Sequence, residues 1–143
     1  MSYEERGQWV YIVAIVLTFS AYATIVLGQA GSTPLTEVDY VSTMLWAIGI
    51  AIALSIVGRI LMEIAMEMAR PGDSHEADVR DRDIGRLGEY FSGTVLGLAM
   101  VVPFVLTLAE FDHFWIGNAI YAAFVLSALV GTAVKLVAYR RGF

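Results

Sequence analysis

The amino-acid sequence predicts an all-α fold: a four-transmembrane-helix bundle with both the N- and C-termini cytoplasmic. Three observations lead there. Hydrophobic residues make up 58% of the 143 and charged residues only 16%, where a soluble domain carries about 25% charged. Four uncharged runs, at 9–30, 40–58, 90–109 and 114–134, each approach the ~20 residues that cross ~30 Å of hydrocarbon as a helix. Finally, all nine Lys and Arg lie in the segments that four crossings would place on one side.

The first run is expected to be a retained helix and not a cleaved leader. Glu4, Glu5 and a single base, Arg6, precede it, so the positive segment that opens a secretory signal is missing. Ser32-Thr33-Pro34 then breaks the helix. With charged rims added, the spans cover about 9–30, 40–61, 89–109 and 114–136, as one membrane domain over residues 1–143. The tight turn 110–113 joins the third and fourth. The main polar segment is a loop at about 62–88, centred on Arg70-Pro71-Gly72-Asp73. Before the third span, Asp81 or Asp83 is a suitable N-cap. Pro103 is expected to kink that span and free a backbone carbonyl.

Arg6, Arg59, Arg70, Arg80, Arg82, Arg86, Lys135, Arg140 and Arg141 fall on one face, which the positive-inside rule makes cytoplasmic. That face also holds ten acids, for a balance of −1. The opposite face carries Glu37, Asp39, Glu110 and Asp112 with no base, so most of the net charge of −5 is an acidic outer rim.

Function classes fall away in turn. Cys is absent, which removes disulfides, thiol redox chemistry and thiolate metal sites. The acidic balance argues against a nucleic-acid partner. His75 and His113 lie in loops, so a membrane haem would lack axial ligands within the spans. There is no glycine-rich phosphate loop, nucleophile elbow or zinc-protease helix motif. No catalytic, cofactor-binding or metal-ligating residue is therefore assigned. The four outer acids and His113 could approach a cation between them, but their spacing matches no defined metal loop, and short outer loops need polar residues for hydration anyway.

Small residues carry the clearest pattern. Gly85, Glu89, Gly93 and Gly97 recur every four residues in the third span, and Ala123, Ser127, Gly131 and Lys135 do so in the fourth. Such spacing lets helix backbones approach closely. Gly93, Gly97, Ser127 and Gly131 are thus the candidate helix-packing or oligomer face, with a homodimer the favoured assembly. In the second span, Ala47, Ala51, Ser55, Arg59, Glu63 and Glu67 form one stripe, small at one end and charged at the other. Arg59, Glu63, Glu89 and Lys135 either trim the cytoplasmic interface or form an ion-paired cluster between helix ends.

Several segments together carry a resemblance. Tyr3-Glu4-Glu5-Arg6 with Trp9, Arg80-Asp81-Arg82-Asp83-Ile84 leading to Gly88-Glu89, His113-Phe-Trp-Ile-Gly-Asn118, and the ending Lys135-Leu-Val-Ala-Tyr139-Arg-Arg-Gly-Phe143 resemble a group of small, uncharacterised four-span bacterial membrane proteins of actinobacterial type. The resemblance implies an inner-membrane protein, often encoded near a small helix-turn-helix regulator. It implies no activity, cofactor or catalytic residue.

The leading expectation is a non-enzymatic membrane protein, a sensor, regulatory or assembly module acting through helix packing, with the lipid bilayer and a second copy as partners. A small oligomeric transporter or channel, with a path near Pro103 and Asn118, is the alternative. A lipid-active enzyme using the charges of 78–83 is the third. The topology is directly testable: in this Cys-free chain, a single cysteine at Ser32 should react with a membrane-impermeant thiol reagent from outside intact cells, and labelling only after lysis would overturn the orientation.

Overall fold

In the computed structural model, residues 3–31, 33–69 and 79–141 are described. They form helices α1 (Tyr3–Gln29), α2 (Tyr40–Ala69), α3 (Val79–Ala99), α4 (Val101–Leu108) and α5 (His113–Arg141), with a short 3₁₀ turn at Leu35–Glu37 before α2. There are no strands among the described residues. Four helical stretches are long and apolar enough to cross a membrane, with α3 and α4 together making the third. Ser32, the Arg70-Pro71-Gly72-Asp73 turn, His75 and Asp78 lie outside the described residues.

Helices outrun the apolar stretches at the polar loop. α2 continues to Ala69 and α3 begins at Val79, so the segment between them is shorter than 62–88. Asp81 and Asp83 consequently lie inside α3, in its first turns, and do not cap it. The reason is packing: Ile84, on this polar extension, is fully buried, and Arg80 Nη2 reaches the Tyr139 carbonyl of α5 at 3.4 Å. Arg82 and Asp83, between the two, are exposed.

The third crossing breaks at Met100, three residues before Pro103, whose missing N–H removes one rung of the helix ladder. α4 ends in a Schellman arrangement. Glu110 N–H donates to the Thr107 carbonyl (3.1 Å) and Phe111 N–H to that of Leu106 (3.0 Å). Glu110 takes the left-handed conformation this requires, with φ 54°. Asp112 then starts α5 immediately, its Oδ1 accepting from Phe114 N–H at 2.8 Å.

The helices are arranged in the order α2, α1, α5, α3. α1 packs between α2 and α5, and α5 carries α3 and α4 on its other side. On α1, Ala14, Thr18, Tyr22 and Val26 are buried at four-residue spacing, the stripe a helix buries between neighbours. The start of α1 lies beside the end of α5, with the Arg140 guanidinium 5.5 Å from the centre of the Trp9 ring. The end of α2 is close too: a Cβ on Gly58 would stand 2.6 Å from Val10 Cγ1. One end of the molecule thus gathers the start of α1, the later part of α2 and the end of α5, with Arg6, Arg59 and Arg140 (the basic end); the other carries the loops with Glu37, Asp39, Glu110 and Asp112 (the acidic end).

The closest backbone approach is between α3 and α5. A Cβ on Gly88 would collide with the Lys135 stem and lie 2.9 Å from the Gly131 carbonyl oxygen; one on Gly131 would meet Ser92 Cβ at 2.8 Å. Ser127 Oγ donates to the Ser92 carbonyl at 2.9 Å, which leaves Ser92 Oγ as the donor in the 2.7 Å bond between the two hydroxyls. Gly93 and Gly97 take no part in this seam: both are exposed, and a Cβ on either would meet nothing within 4 Å. Gly88→Ala should therefore destabilise the fold by about 1–3 kcal/mol, the usual penalty of overpacking, whereas Gly97→Ala should be neutral or slightly stabilising. Reversible unfolding in mixed micelles measures both; equal effects would contradict this seam.

Candidate functional site

α2 and α3 do not pack on one another. Between them, floored by α1 and α5, runs a cleft of about 1080 Å³. Its length follows from α2, which lines it from Met44 to Arg59, about 22 Å at 1.5 Å per residue. The second-span stripe read from the sequence supplies this wall, since Ala51, Ser55 and Arg59 all face the cleft. α3 contributes Gly88, Glu89, Ser92 and Leu96.

The acidic end of the cleft is closed by aromatic packing. Tyr40 lies edge-on to Phe114 at 5.0 Å and covers Gly117, where a Cβ would come within 3.3 Å of the ring. Behind it, Tyr121 is edge-on to both Tyr22 (5.1 Å) and Phe19 (5.6 Å). The Tyr22 hydroxyl donates to Asn118 Oδ1 at 2.6 Å, and Asn118 Nδ2 donates to the Phe114 carbonyl at 2.8 Å. Asn118 is thereby spent on joining α5 to α1. Neither it nor Pro103, which is buried, lines the cleft.

The cleft contains five hydroxyls from Ser and Thr, and all are engaged by protein. Thr18 donates to the Ala14 carbonyl (2.7 Å), Ser55 to that of Ala51 (2.7 Å) and Thr132 to that of Ala128 (2.8 Å). Ser92 and Ser127 bond within the α3–α5 seam. Hydroxyls that bond back to their own helix offer no proton to a ligand. Along most of its length, then, the cleft is suited to an apolar occupant.

Charge is confined to the basic end, where Arg59, Glu89 and Lys135 line the opening with Gln8. Arg59 Nε lies 3.7 Å from Glu63 Oε1, one helical turn on, and both side chains are about half exposed (52% and 45%). That separation and exposure make a weak pair. The Lys135 stem crosses Gly88, Lys135 lines the cleft with Glu89, and among the described residues no ion pair joins the two. The four candidate rim residues thus come to one end of the molecule, but as two sides of an opening. Of the candidate small residues, Ser127 and Gly131 lie in the seam, and Gly93 and Gly97 outside it.

The outer acids do not converge: no group of three or more His, Asp or Glu among the described residues could hold a metal ion. Glu5, by contrast, is buried at the start of α1, 8% exposed, and nothing in its sequence neighbourhood marks it as such.

Fold and cleft together define a helical protein with four helical stretches long and apolar enough to cross a membrane and an open cleft between the second and third. No family model matches the chain, and no curated protein or solved structure matches it.

Proposed function

We propose that the chain is a non-enzymatic module of the bacterial cell membrane, with both termini cytoplasmic, that admits a membrane lipid laterally between α2 and α3. It acts as a sensor, regulatory or assembly module through helix packing, the occupant fixing the spacing of the two helices. The single observation carrying this reading is the unclosed bundle: two spans left apart by a cleft whose Ser and Thr hydroxyls are all engaged by protein. The cleft wall on α2, about 22 Å from Met44 to Arg59, suits an extended acyl chain. The engaged hydroxyls and the placement of Asn118 and Pro103 away from the cleft weigh against a path for a polar solute.

The lipid reading is tested by native mass spectrometry of the full chain extracted in mild detergent. A lipid should remain bound, and Ala51→Phe, which fills the cleft wall, should reduce its retention by about tenfold, as expected for losing the burial of two or more methylenes. Spin labels on cysteines replacing Ile56 and Leu98 should change separation when lipid is restored to the stripped protein. An unchanged separation would refute the sensing role.

Gly93 and Gly97 serve as the seam of a homodimer in this reading, because they present an exposed small-residue face on which two backbones can meet. Gly97→Ile should lower the dimer fraction, measured by fluorescence energy transfer in liposomes, without lowering the thermal stability of the monomer. An unaltered dimer fraction would place the seam elsewhere.

A further inference from the structure

The charges at the cleft mouth specify more than a greasy occupant. We infer that the cleft selects a phospholipid with a primary-amine headgroup, such as an ethanolamine lipid, over choline and glycerol headgroups. The inference rests on the lipid reading above and concerns the same cleft.

Arg59, Lys135 and Glu89 line the opening at the basic end, and Glu63 lies one turn beyond Arg59 on α2. These are two cations and two anions: Arg59 and Glu63 pair on α2, while Glu89 on α3 and Lys135 on α5 line the cleft opposite them. An anionic headgroup would bring its phosphate to the cations but leave Glu89 facing a like charge or a neutral hydroxyl. A zwitterion satisfies both: phosphate on Lys135, supported by Arg59, and ammonium on Glu89. Between zwitterions, a primary ammonium donates hydrogen bonds to a carboxylate, and a quaternary one has no N–H to donate. Lys135 fits the part because its stem is fixed across Gly88 while no ion pair with Glu89 occupies its amine. The apolar remainder of the cleft leads from this mouth toward Tyr121 and Gly117, deep enough to take the acyl chains of the same molecule.

Lipid-stripped full-length protein, titrated separately with phosphatidylethanolamine, phosphatidylcholine and phosphatidylglycerol of identical chains, provides the test, with bound lipid counted by native mass spectrometry. Phosphatidylethanolamine should bind about tenfold more tightly than either competitor, the worth of one charge-assisted hydrogen bond. Glu89→Gln should erase that preference while leaving the binding of phosphatidylglycerol intact or improved. Lys135→Met, which keeps the stem over Gly88, should weaken all three lipids. Equal binding of the three, or a preference that survives Glu89→Gln, would overturn the headgroup inference. Ala51→Phe separates the two levels: if it abolishes retention while the headgroups bind equally to the parent chain, only the headgroup inference fails. If lipid retention is indifferent to Ala51→Phe, the cleft reading fails with it.

Discussion

The close contact between α3 and α5 is the constraint from which the rest of the architecture follows. Inside a bilayer, apolar side chains gain little by leaving lipid for one another, so helices associate through fit and hydrogen bonds. Gly88, Ser92, Ser127 and Gly131 supply both, bringing the two backbones together and pairing two hydroxyls where no water could satisfy them. α5 then has α3 on one side and α1 on another, and α1 in turn carries α2. A compact four-helix bundle would need α2 and α3 to meet as well. Here Tyr40, Phe114, Tyr22 and Tyr121 pack the acidic end, and among the described residues no aromatic pair joins α2 to α3.

The number of helices able to cross a membrane was legible because hydrocarbon imposes a length on uncharged runs that no tertiary contact can waive. Which faces meet was less legible. The repeats Gly93–Gly97 and Gly88–Ser92 sit on neighbouring stripes of one helix, about 100° apart per residue, and both consist of small residues. Spacing alone could not rank them, because what decides is the partner: Ser127 and Gly131 on α5 accept Ser92 and Gly88, whose ridge continues through the buried Ile84. The fourth-span stripe was readable for the complementary reason, since Ala123, Ser127, Gly131 and Lys135 are its one run of small residues ending in charge.

The polar extension of α3 was hidden by its composition. Charges alternate through 80–83 and read as a capped loop, yet a single buried side chain, Ile84, commits the segment to α5 and carries the helix back to Val79. The cleft was hidden in another way. Its walls are the second-span stripe and the face of α3 from Gly88 to Leu96, each visible in sequence, but its existence depends on two spans standing apart, and periodicity reports only what a helix could bury.

The chemistry of that gap follows from how its polar atoms are spent. A hydroxyl in hydrocarbon either finds an acceptor or costs several kcal/mol, and Thr18, Ser55 and Thr132 solve the problem locally by donating to their own helices. The walls therefore behave as apolar surface, and polarity is left at the basic end, where Arg59, Glu89 and Lys135 stand on three different helices. An occupant that reached all three would touch α2, α3 and α5 together, so its binding energy would depend on the spacing of α2. A ligand shifts an equilibrium only by such a difference. For the lipid proposed above, that difference would lie in whether one headgroup reaches Arg59 on α2 at the same time as Glu89 and Lys135 across the cleft.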